Sequence, residues 1–81
     1  MNNSLFDTFV VISRVHYMKF EHMYDAILNE YRLRFSYGYQ HCEIRFPAEI
    51  VHGWLSKTRN ELISDVIKPM IDGVKKELSK L

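Results

Sequence analysis

From Leu33 to Phe46 the chain reads LRFSYGYQHCEIRF, and apolar and polar residues trade places one by one around a single glycine. A period of two belongs to a strand, because successive side chains point to opposite faces. On either side of this stretch, apolar residues recur three and four apart, the spacing of a helix face. The change of period predicts a β-hairpin held between helices. Two strands alone are rarely stable in water, so the hairpin has to be covered or extended. The cover can come from the chain's own helices, from a second copy of the chain or from a partner.

Within the hairpin, expected over about 32–46, Leu33, Phe35, Tyr37, Cys42, Ile44 and Phe46 share one face. Arg32, Arg34, Ser36, His41, Glu43 and Arg45 share the other. Two registers fit. A turn centred on Gly38-Tyr39 has type II′ chemistry and pairs Phe35 with Cys42, Leu33 with Ile44 and Arg34 with Glu43. A turn centred on Tyr37-Gly38 pairs Leu33 with Cys42 and avoids setting Arg32 against Arg45, a like-charge pair. Both put the same residues on the same face.

Ahead of the hairpin, Ser4 with Asp7 resembles a relaxed capping box, and Phe6, Phe9, Val10, Ser13, Tyr17, Phe20, Tyr24, Ile27 and Tyr31 form one stripe. This predicts a long helix over about 5–31. The β-branched run Val10, Val11, Ile12 and Val15 offers a rival strand over Phe9–Met18, or a break near Ser13–His16. The helix is preferred because no turn residue divides the stripe.

After the hairpin, Pro47 suits the first turn of a helix over about 47–56, whose apolar side holds Ile50, Val51, Trp54 and Leu55. Thr58 with Glu61 then forms a capping box for a second helix over about 59–80. The stripe runs on through Leu62, Val66, Met70, Val74 and Leu78, so a single kinked helix also fits. Pro69 removes the bond to the Asp65 carbonyl and predicts a kink there. The whole is a small α+β domain of α-β-β-α order.

Composition narrows the function classes. The 81 residues make one small domain, 47% hydrophobic, with five Phe, five Tyr and one Trp. Such a chain buries about 60% of its unfolded surface, so large aromatic side chains matter to its core. The net charge of +1 gives no field that favours nucleic acid or a membrane. The distribution is uneven: residues 1–30 are net acidic, while 31–46 hold three Arg against one Glu. Cys42 is the lone cysteine, the N-terminal stretch MNNSLFDTF has no basic leader region, and no apolar run is long enough to span a bilayer. A soluble cytoplasmic protein without a membrane partner is expected.

No catalytic chemistry assembles from the sequence. His16, His22, His41 and His52 show none of the spacings that hold zinc, and strand alternation sends Cys42 to the face opposite His41 and Glu43. Cys42 lacks a base and an oxyanion hole, so a packed thiol is the reading. No metal, cofactor or enzymatic activity is expected. The candidate site is instead the hairpin's polar face and tip: Arg32, Arg34, Tyr37, Tyr39, His41 and Arg45, with Trp54 as a hydrophobic anchor if it is not core. These residues suit a small non-catalytic regulator that binds another protein, itself, or both, as a homodimer. Motif-poor, aromatic-rich chains this short include accessory regulators of phage type, an association by size class alone. The alternative is an RNA- or DNA-binding module in which arginines hold phosphates and tyrosines stack on bases.

Overall fold

A computed structural model describes residues 4–79 of the chain. The Ser4 side chain, from which the first cap was expected, and Lys80, the expected end of the last helix, lie outside the described part. The elements run α1 (Ser4–Val15), β1 (Lys19–Asp25), β2 (Glu30–Tyr37), β3 (Gln40–Pro47), α2 (Ala48–Trp54), α3 (Arg59–Leu62), a π-helical turn (Ile63–Ile67) and α4 (Lys68–Ser79). The α+β class holds. The two-stranded hairpin is corrected to a three-stranded antiparallel meander in the order β1-β2-β3.

The third strand comes from the second half of the expected first helix. α1 ends at Val15 in a Schellman motif: the Tyr17 amide donates to the Arg14 carbonyl at 3.0 Å, and the Met18 amide to the Ser13 carbonyl at 2.9 Å. Tyr17 takes the left-handed position of that motif at φ 61, where glycine is the usual residue. The break therefore falls where the apolar stripe crosses a tyrosine. β1 then alternates, with Phe20, His22 and Tyr24 toward the helices and Lys19, Glu21, Met23 and Asp25 away from them. A spacing of four suits both a helix and a strand, so Phe20 and Tyr24 could not discriminate between them. Tertiary packing decides: Phe20 stacks on Phe9 of α1 at 4.9 Å between centroids and tilts onto Phe35 of β2 at 5.2 Å.

The turn between β1 and β2 is closed by Asp25, whose Oδ1 accepts the Ile27 and Leu28 amides at 2.9 and 3.1 Å. Asn29 completes it at φ 51, a left-handed conformation that asparagine tolerates. The β2–β3 connection is the Gly38-Tyr39 turn, with Gly38 at φ +61 as the first central position of a type II′ turn requires. Phe35 pairs with Cys42, Leu33 with Ile44 and Arg34 with Glu43. Arg32 does face Arg45, and the repulsion is offset by acidic neighbours described below.

All helices pack on one face of this sheet. Phe9, Leu33, Phe35, Val51, Ile67, Ile71 and Val74 are fully buried between the layers. Each such side chain contributes about 1.5–3 kcal/mol of transfer free energy. Of the two forms left open for the C-terminal segment, the structure takes the divided one: Pro47 closes β3 just ahead of α2 rather than entering its first turn, and the Thr58–Glu61 capping box is complete, Thr58 Oγ1 accepting the Glu61 amide at 3.2 Å and Glu61 Oε1 the Thr58 amide at 2.9 Å. Ahead of Pro69 the helix widens, the Lys68 amide donating to the Ile63 carbonyl five residues back. The chain accommodates the missing proline donor with this π turn.

Candidate functional site

Among the described residues, no helix lies on the sheet's outer face. Its strands place Lys19, Glu21, Met23 and Asp25 beside Glu30, Arg32, Arg34 and Ser36, and those beside His41, Glu43, Arg45 and Pro47. Four basic residues thus meet four acidic ones. Arg34, the central residue, is flanked by Glu21 on one strand and Glu43 on the other. Arg32 donates to Asp25 Oδ2 at 2.7 Å, and Arg45 lies 3.6 Å from Glu43 and 3.8 Å from Glu30. The two backbone amides of the turn, with Arg32 beside them, hold the Asp25 carboxyl below the usual carboxylate range. The acidic residues assigned by periodicity to a first helix are therefore interleaved with the arginines on one sheet face. The positive charge expected on the hairpin is balanced, because Glu21 and Asp25 come from the strand that periodicity missed and Glu30 opens β2 ahead of the expected hairpin.

The other part of the expected site, the hairpin tip, lies at the end of the molecule where α1 feeds β1. His16, Tyr17 and Met18 from the α1–β1 connection, Tyr37 and Gln40 from the tip, and Lys75 and Leu78 from α4 line a groove of about 260 Å³. Tyr17 is 86% exposed, Tyr37 is exposed beside it, and Tyr39 stands fully exposed at the turn. Lys75 Nζ lies 3.4 Å from His16 Nδ1 across the groove. The floor is apolar and the rim carries two basic side chains. Of these residues, Tyr37 and Tyr39 were expected. Tyr17, His16 and Lys75 were not, since only the fold brings the end of α1 to the end of α4.

Trp54 is a core residue, 9% exposed, with its ring 5.9 Å from Phe9 and 5.1 Å from Phe46. It does not present the open surface that an anchor needs. Cys42 is half-buried on the helix-facing side of β3, and burial, with the Glu77 charge second, pushes its thiol up. Among the described residues no group of three or more His, Cys, Asp or Glu side chains is placed to hold a metal ion. Among them, too, no helix is long and apolar enough to cross a membrane. Comparisons with protein-family models, with curated proteins and with solved structures return no match.

Proposed function

We propose that this protein is a non-catalytic binding module that docks another protein at its tyrosine-rich end and works as a homodimer. The observation that carries this reading is Tyr17. A bulky residue in the left-handed region costs on the order of 1–2 kcal/mol, yet the ring it displays makes almost no buried contact. Strain of that kind is tolerated where the displayed side chain is needed. Tyr17, Tyr37 and Tyr39 together supply large amphipathic contact area with few rotatable bonds, the composition of interface hot spots. His16 and Lys75 on the groove rim favour a partner segment that sets a carboxylate next to an apolar side chain. The balanced charges of the outer sheet face favour this reading over phosphate binding, which needs unneutralised cations.

The test is quantitative capture by the immobilised protein and by a Tyr17→Ser, Tyr37→Ser, Tyr39→Ser variant, from extract treated or untreated with nuclease. The expected result is a nuclease-resistant protein that binds the parent and is lost with the variant, whose circular dichroism stays unchanged. Capture abolished by nuclease, or equal capture by a folded variant, refutes the assignment.

A further inference from the structure

We propose that two copies of this chain pair their β1 strands edge to edge, antiparallel about a two-fold axis at His22, so that their sheets join into one. This inference specifies the self-association in the reading above and is independent of the tyrosine-rich end. It starts from hydrogen-bond direction. In the two-residue hairpin, Tyr37 and Gln40 form a hydrogen-bonded pair, so the odd-numbered residues of β2 bond to β3 and the even-numbered ones to β1. Through the β1–β2 register, Lys19, Glu21, Met23 and Asp25 direct their backbone groups at β2. Phe20, His22 and Tyr24 direct theirs outward. Among the described residues, β1 is an edge strand and no backbone group bonds to this outer side. The edge runs from Lys19 to Asp25 with no proline and no bulge, which leaves it open as a pairing template.

Charge then selects the register. Antiparallel self-pairing must match the outward-bonding residues with one another. Centred on Glu21, the pairing sets Glu21 against the partner's Glu21. Centred on Met23, it sets Glu21 against the partner's Asp25. Centred on His22, it uses all seven residues of the strand. Lys19 then meets the partner's Asp25, and Glu21 meets the partner's Met23. On the helix side, Phe20 faces the partner's Tyr24. No carboxylate meets a carboxylate, His22 faces its own copy, and aromatic pairs are favourable across strands. The other edge is less suited: β3 ends in Pro47, which has no N–H, and its outward Glu43 and Arg45 already pair with each other.

A cysteine scan reads the register directly. In a Cys42→Ser background, Glu21→Cys, His22→Cys and Met23→Cys are each oxidised mildly and run without reductant. Only position 22 faces itself, at the Cα separation of about 5.5 Å that a disulfide spans, so only His22→Cys is expected to cross-link in high yield. A second pair of variants leaves the edge intact. Met23 is 51% exposed and lies opposite Arg32 within the chain. Met23→Glu puts a second acid against the partner's Glu21 and is expected to weaken the dimer about tenfold, while Met23→Lys strengthens it. Fold stability is expected to move the other way, because Glu suits Arg32 and Lys repels it. Cross-linking at 21 or 23, or a dimer by light scattering that none of the three links, overturns the β1 pairing and leaves the binding reading standing. A monomer at all concentrations overturns both the pairing and the homodimer, and capture by the tyrosine-rich end then stands or falls on its own test.

Discussion

Replacing Tyr17 by glycine is expected to stabilise the fold while weakening partner capture. The residue sits at φ 61 beyond the end of α1, and its ring is 86% exposed. Glycine removes a left-handed penalty of roughly 1–2 kcal/mol for a residue with a Cβ. It also loosens the unfolded chain, which takes back about 0.4–1 kcal/mol. Little burial is lost. The net gain is about 0.5–1 kcal/mol, which for a domain of this size corresponds to roughly 2–8 °C in melting temperature. Tyr17→Ala is the control, since it removes the ring but keeps the strain. It is expected to show no gain. The measurement is urea unfolding followed by Trp54 fluorescence and circular dichroism, with m-values compared to confirm an unchanged unfolding reaction. If Tyr17→Gly is less stable than the parent and Tyr17→Ala matches it, the ring is a structural element of the groove, and the inference from strain to display is refuted. If the glycine variant is more stable and still captures the partner, Tyr17 is not part of the docking surface.

Trp54→Ala empties a site between Phe9 and Phe46 and is expected to cost about 3–5 kcal/mol, read as a large fall in urea midpoint; a near-parental midpoint would place the indole outside the core. Cys42 should label slowly with a thiol reagent at neutral pH and quickly in denaturant, with a native rate that rises only above the ordinary thiol range, because burial and Glu77 disfavour its thiolate. Asp25→Asn tests the turn. The folded carboxyl titrates lower than the unfolded one, so the folded state binds fewer protons and Asp25 adds stability above about pH 4 that is lost as pH falls through the folded value. The variant is expected to melt lower at neutral pH and to lose less on acidification than the parent. It should keep a residual acid response, because the Thr58 cap also holds the Glu61 carboxyl low.

Strand alternation around Gly38 sufficed to place β2 and β3 and their faces but left two registers open, and the structure takes the Gly38-Tyr39 turn. The Thr58–Glu61 capping box was equally legible, since a cap acts through bonds within one turn of chain, whereas the π-helical turn ahead of Pro69 was not foreseen. What escaped was β1. The helix before it ends at Val15, within the Ser13–His16 break that the β-branched run offered as an alternative, but Tyr17 has no propensity for the left-handed position that follows, so the unbroken stripe outweighed that signal. The turn after β1 carries Ile27, 93% exposed, and Leu28 at its tip, where polar residues are usual. Phe20 and Tyr24 satisfy both periods, and only stacking on Phe9 and Phe35 tells them apart. The functional reading turned on the same segment. Sequence alone set the arginines on a solvated hairpin face, with Glu43 and the acidic residues of a first helix as their partners, and left Tyr17 inside a helical stripe. The tertiary structure laid an acidic strand beside those arginines and gathered Tyr17, Tyr37 and Lys75 at one end. Local bonding can be read residue by residue, whereas the charge balance of a sheet face and the lining of a groove depend on which distant segments become neighbours.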